Sequence, residues 1–278
     1  MFSFPNILTG MNLICGIASI LATLAGRIDL SPFFLFAAMG FDFLDGFVAR
    51  KLNKSGPLGK QLDSLADMVS FGLAPGIIVM VMIIVGAHDG LIPTNDYNYE
   101  STSYSWFQIQ AWMQAIFYNV PNHFDATIKY LPFVALIIPF LAMFRLAKFN
   151  IDENQSDQFI GVPTPLNTLF ILFLPLFFCT KFPTWNNQDS WVLLLFNCYS
   201  ITLITGLFSF LMIAKVPLIA LKFKNFGWTD NKFRYLLLLF ALISFILFYL
   251  WSIPIIVFLY IMLSLIENRQ KKTNEIQS

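Results

Sequence analysis

An all-α, polytopic membrane bundle is the fold this sequence predicts, and three observations predict it. The chain of 278 residues is 57% hydrophobic and only 12% charged, with 32 phenylalanines and a mean hydropathy of +0.69; a soluble chain carries about 25% charge. Eight apolar stretches are long enough, or nearly so, to cross a hydrocarbon layer, which takes about 20 helical residues. And the 17 basic residues sort to one side of those stretches. A net charge of +1 argues against a nucleic-acid partner and against strong overall attraction to a membrane surface, so the placement of the charges carries the information.

The spans are expected near 7–26, 31–52, 60–86, 131–149, 163–180, 191–214, 235–251 and 253–267. The first has no basic leader and runs straight on into further spans, so it reads as a retained helix rather than a cleaved signal. Only Trp251 to Pro254 separates the last two, which leaves a six-plus-two arrangement or a re-entrant ending open. Two units follow: 1–214, a six-helix membrane domain interrupted by an extracytoplasmic insertion at 87–130, and 215–278, a basic amphipathic linker, two helices and a short tail. Within the insertion Trp106, Ile109, Met113, Ile116 and Phe117 recur at helical spacing and suggest an amphipathic helix in the membrane interface. His88 and His123 fall there as isolated loop residues without a role. Lys215 to Tyr235, basic and aromatic, is expected along an anionic leaflet. Cys15, Cys179 and Cys198 have no metal-ligand spacing and read as small packing residues.

All the basic residues except Arg27, Lys129 and Lys181 fall on one side, which makes that side cytoplasmic by the positive-inside rule. The same side receives the turn of the stretch FDFLDGFVARKLNKSGPLGKQLDSLAD, Phe41 to Asp67. Here Asp42 and Asp45 stand three apart, followed by Gly46, Ala49 and Arg50, and then Gly59, Asp63 and Asp67 recur every four residues. At about 100° per residue the first set spans roughly 140° of a helix surface and the second roughly 80°. Asn53, Ser55, Gly56 and Pro57 between them favour a turn, so two helices meet as a hairpin with their polar faces near one surface.

One aspartate at a helix centre in lipid costs roughly 2.5 to 3.5 kcal/mol, so four uncompensated ones cost on the order of 10 kcal/mol. Hard divalent cations are natural compensation, and four carboxylates can bridge two of them. The bland alternative is that these aspartates cap helices or pair with Lys51, Lys54 and Lys60 in a solvated loop. A two-metal site stabilises charge on a phosphoryl group and on its leaving oxygen. Gly46 and Gly59 would admit a bulky group close to the backbone, Arg50 would fork phosphate oxygens, and Asp67, at the end of the row, could take a proton from an attacking alcohol. Further along, Arg145, Lys148 and Asn150 close the fourth span at the same mouth, where the two cations could equally be snorkelling boundary residues.

The residues Asp42, Asp45, Gly46, Ala49, Arg50, Gly59, Asp63 and Asp67 fit, without a departure, the pattern D-x2-D-G-x2-A-R-x8-G-x3-D-x3-D, and in this the chain resembles the CDP-alcohol phosphatidyltransferase family. The resemblance implies a six-helix core and commonly a homodimer. It also implies two Mg2+ or Mn2+ ions held by Asp42, Asp45, Asp63 and Asp67, with Asp67 as general base and Gly46, Ala49, Arg50 and Gly59 at the CDP moiety. Within the family, PNILTGMNLICG at the start, SFGLAP from Ser70, FRLAKFN and FIGVPTP make the chain most similar to the branch that uses CDP-diacylglycerol and L-serine to make phosphatidylserine and CMP. On that reading Arg145, with Lys148 or Asn150, meets the serine carboxylate, and Asn6, Thr9 and Asn12 add to the polar cavity. Two alternatives stay open. The acceptor could be glycerol phosphate, inositol phosphate or an amino alcohol. The intramembrane carboxylates could instead serve an ion-coupled transporter, although such sites usually lie at the midplane on broken helices, whereas these are expected near one surface on unbroken ones.

Overall fold

The computed structural model describes residues 3–52, 56–87, 101–121, 124, 128–151, 158–181, 194–214, 216–219 and 227–277. In chain order, α1 (Phe4–Leu24) and α2 (Ser31–Lys51) are followed by α3 (Pro57–Asp67), a π-helical segment (Met68–Leu73) and α4 (Ala74–Gly86). Next come α5 (Ser101–Phe117), a 3-10 segment (Ile128–Leu136) running into α6 (Ile137–Ile151), and β1 (Gln158–Ile160). Then follow α7 (Thr164–Lys181), α8 (Cys198–Ile213), β2 (Pro217–Ile219), α9 (Trp228–Phe248) and α10 (Ser252–Gln277). Helices lie at all eight predicted spans. The 40-residue apolar stretch Asn231–Gln270 is two helices, because Tyr249 takes a positive φ of 47° and ends α9.

Prolines open α1, α2, α3 and α4 within their first two positions, where the missing N–H goes unused. The bundle centres on α4, in which every residue from Ala74 to Val85 is buried except Ile77 and Met80. Between helices in lipid the gain from association is close packing rather than removal of apolar surface from water, and small residues make it possible. A Cβ on Gly76 would lie 2.9 Å from Pro139 Cδ, and one on Gly72 3.2 Å from Ala142 Cβ. These contacts fix α6 against the π segment and α4.

The structure adds to or departs from the sequence expectations in three places. The helix from Pro57 to Gly86 is continuous but not regular: six residues directly after Asp67 wind as π helix, so the second carboxylate helix is not the uniform one expected. In α5 the buried stripe is Ser105, Gln108, Ile109, Trp112 and Ala115, while Trp106, Met113 and Phe117 are exposed; Trp112 Nε1 donates to the Lys129 carbonyl at 2.8 Å, which turns that face inward. Part of the stretch expected along a leaflet is buried instead. Leu218 and Ile219 belong to β2, antiparallel to β1 with Phe159 opposite Leu218.

The last two helices pack onto the bundle. Trp251 lies 4.9 Å and 5.2 Å, ring centre to ring centre, from Phe173 and Phe177, and the Tyr260 hydroxyl donates to the Ile219 carbonyl at 2.7 Å. Asn53, Lys54, Ser55, His88, His123, Lys215, Lys222 and Lys224, along with the polar loop at 152–157, lie outside the described residues. Among the described ones the three cysteines are free thiols.

Candidate functional site

The site assembles at the end of the bundle where α2 finishes and α3 begins. The Lys60 ammonium donates to the Asn150 carbonyl at 2.8 Å and the Asn150 amide to Ser64 Oγ at 2.7 Å. Together these two bonds bring the end of α6 to the same level. Helical spacing then does what it promised. One carboxylate oxygen each from Asp42, Asp63 and Asp67 lies within 4.8 Å of the others, and Asp45 is near enough to all three to feel their charge.

Two of the carboxylates are held by side-chain hydrogen bonds from α1. Asp45, buried on α2, accepts from Thr9 Oγ1 at 2.5 Å, so α1 holds it beside the trio rather than inside it. Asp67, also buried, accepts at Oδ1 from the Asn12 amide at 3.1 Å, which leaves its other oxygen toward Asp42 and Asp63. Asp63 keeps one buried oxygen without a hydrogen-bond partner. The π segment explains how α1 comes so close. Ser70 Oγ donates to the Asn12 carbonyl at 3.0 Å, and a Cβ on Gly16 would meet Ser70 Oγ at 2.5 Å and Ser70 Cα at 2.9 Å.

Arg145 lies within electrostatic reach of Asp67 and of Tyr260. One guanidinium nitrogen of Arg145 approaches Thr164 Oγ1 at 3.4 Å, and Nε is buried without a partner. Lys148 is exposed; Asn150 donates its amide to Ser64 and keeps its buried Oδ1 without a hydrogen-bond partner. At the mouth, the exposed Arg50 folds back over Gly46: its terminal nitrogens stand 3.4 Å and 3.9 Å from where a Cβ would be. Gly59 faces the Asn6 side-chain oxygen, with room for only a 3.6 Å contact, and Ala49 is half-buried on the same turn as Arg50.

Three converging carboxylates with an orphaned oxygen, and a fourth beside them, suit a hard cation that takes oxygen ligands. Two guanidinium groups, Arg50 near Asp45 and Arg145 near Asp67, are of the type that suits anionic oxygens. Residues 2–199 match the sequence profile described as CDP-alcohol phosphatidyltransferase.

The chain belongs to the CDP-alcohol phosphatidyltransferase family. It is 29% identical over 174 residues to a Bacillus subtilis protein named CDP-diacylglycerol–serine O-phosphatidyltransferase, which covers 61% of this chain and 73% of that one. A Helicobacter pylori protein of the same name is 28% identical over 174 residues, 62% of this chain and 56% of its own. An archaetidylserine synthase of Methanothermobacter thermautotrophicus is 38% identical over 171 residues, 61% and 56% respectively. The match thus spans a little over half the length of the last two. As a member of this family the protein is a phosphotransferase, and helices α9 and α10 lie beyond the matched residues.

Asn6, Thr9 and Asn12, legible in the sequence as polar neighbours, all come to the motif. Ser64, Ser70, Thr164 and the π segment are not legible there as parts of the site. Ser70 sits in the SFGLAP string and was legible as part of a resemblance, but its bond to the Asn12 carbonyl had no signal in one sequence.

Proposed function

We propose that the protein transfers the phosphatidyl group of CDP-diacylglycerol to L-serine, giving phosphatidylserine and CMP, at a site open to the cytoplasm. The observation that carries this reading is the convergence of Asp42, Asp63 and Asp67 with Arg145 within electrostatic reach of Asp67, in a family whose similar members are named for serine. Two bound Mg2+ or Mn2+ ions, held by Asp42, Asp45, Asp63 and Asp67, would neutralise the diphosphate and the departing CMP oxygen.

The chain's own groups do the rest. Gly46, Ala49, Arg50 and Gly59 receive the CDP moiety at the mouth, where the two glycines leave the backbone open and Arg50 meets phosphate oxygens. Asn12 pins one oxygen of Asp67, so the other takes the proton as the serine hydroxyl attacks the diacylglycerol-side phosphorus. The bond from that phosphorus to the CMP oxygen breaks, and its electrons leave with CMP. Arg145 takes the serine carboxylate, with Lys148 and Asn150 bordering the entrance. Among the described residues Arg145 is the cation within electrostatic reach of Asp67, which suits an acceptor that carries a carboxylate more than one that carries a dianionic phosphate. The homodimer typical of the family is part of the same proposal.

The test is acceptor choice by the purified protein. With CDP-diacylglycerol and Mg2+, L-serine should release CMP, and glycerol phosphate, inositol phosphate and an amino alcohol should release little. Turnover with glycerol phosphate alone would overturn the acceptor assignment while leaving the family chemistry intact.

A further inference from the structure

Asn167 lies on α7 one helical turn beyond Thr164, wholly buried, and neither its side-chain oxygen nor its nitrogen has a hydrogen-bond partner. Buried amides are almost always satisfied. Nothing apolar is gained by placing one there, because Leu or Ile would fill the same space without the cost. It is not alone: the Nε of Arg145 and the free oxygen of Asn12 are also buried and unsatisfied, and both belong to residues that border Asp67.

The depth of these groups can be read from the packing. Gly72 abuts Ala142, so Arg145, one turn nearer the cytoplasmic end of α6, stands level with Asp67. Thr164 meets Arg145 at 3.4 Å, and Thr168 donates to the Phe71 carbonyl at 3.2 Å, so this face of α7 lines the same interior from Arg145 down to the π segment. Asn167 falls between the two threonines in level, about 60° round the helix from Thr164.

We infer that Asn167 determines acceptor specificity, as the residue that recognises an α-amino acid together with Arg145. This rests on the proposed serine transfer. The amide nitrogen of Asn167 and Nε of Arg145 supply donors for a carboxylate, while the oxygens of Asn167 and Asn12 accept from an ammonium. A zwitterion would satisfy these four atoms, half of the eight buried side-chain atoms without a hydrogen-bond partner among the described residues; a polyol phosphate would leave acceptors facing its charge.

The test compares wild type with Asn167→Leu, which keeps the branch at Cγ and removes both polar atoms, by CMP release against each substrate and by melting temperature. The KM for serine should rise about 10- to 100-fold, since partners of a charged group are lost, with the KM for CDP-diacylglycerol unchanged. Saturating serine should raise the melting temperature of wild type and not that of the variant. Asn167→Asp guards against loss of fold: it keeps the shape but sets a carboxylate against the acceptor's, and should raise the serine KM as well. A wild-type serine KM in Asn167→Leu overturns the inference alone, as does a fall in melting temperature with both KM values rising together. If wild type does not use serine, the functional reading fails and this inference fails with it.

Discussion

The two helices that share the carboxylates are held in opposite ways. In its most apolar window α2 has 22% of its residues buried, whereas the helix from Pro57 to Gly86 has 72%. The second is the axis of the bundle and its aspartates are placed by close packing on α1, α6 and α7. The first leans on α1 with its other faces outward, and Asp45 is placed by one hydrogen bond from Thr9. A site shared between a fixed wall and a lightly held wall should be sensitive to packing on one side and to single polar contacts on the other.

The largest effect is expected at Asp67. Replacing Asp67 with Asn should lower CMP release by about 100- to 10,000-fold, the range for a lost proton acceptor, with the melting temperature unchanged or higher because a like charge leaves the cluster. Next is the tight crossing at Gly16. Gly16→Val must push α1 off Ser70 and should cost about 1 to 3 kcal/mol of stability, read as a lower melting temperature, and reduce turnover by moving Asn12. Third comes the lightly held wall: Thr9→Val should cut the rate about tenfold, matching the loss of one bond to a charged group, and Thr9→Ser should restore most of it. A Thr9→Val loss as deep as that of Asp67→Asn would erase the contrast between the walls.

The smallest effect is expected at the far end, between α1 and α2, where Arg27 and Asp29 pair at 2.9 Å in an exposed position. Hydrogen bonds from Arg27 hold the Asp29 carboxyl below its usual range. Its contribution is therefore present at neutral pH and lost as the pH falls through and below the ordinary carboxylate value of about 3.9. Asp29→Asn should cost under about 1 kcal/mol at neutral pH, nothing in strong acid, and no activity.

Most of the bundle was legible because long apolar runs and sorted cations leave few alternatives. The aspartate hairpin was legible because steps of three and four residues put side chains on one helix face. What periodicity does not say is which face meets which neighbour. Of the apolar stripe read on α5, Trp106, Met113 and Phe117 are exposed while Ile109 is buried, and it is Trp112, outside that stripe, that bonds to the 3-10 segment. The π segment after Asp67 likewise carries no periodic mark, although it determines where Ser70 and Phe71 present their polar groups. Arg145 could be placed near the mouth from sequence, but whether it points to lipid headgroups or to Asp67 depends on α7, which no local pattern fixes. Asn167 was invisible for the same reason, since one Asn in an apolar helix gains its meaning only from what surrounds it.

The most direct measurement is Mn2+ binding to the purified protein, followed by electron paramagnetic resonance, in wild type and in Asp63→Asn. Joint coordination by α2 and α3 predicts saturable binding in wild type, at the metal concentration that supports CMP release, and weakened binding in the variant. Full turnover in rigorously chelated buffer, or Mn2+ binding that Asp63→Asn leaves untouched, would contradict it.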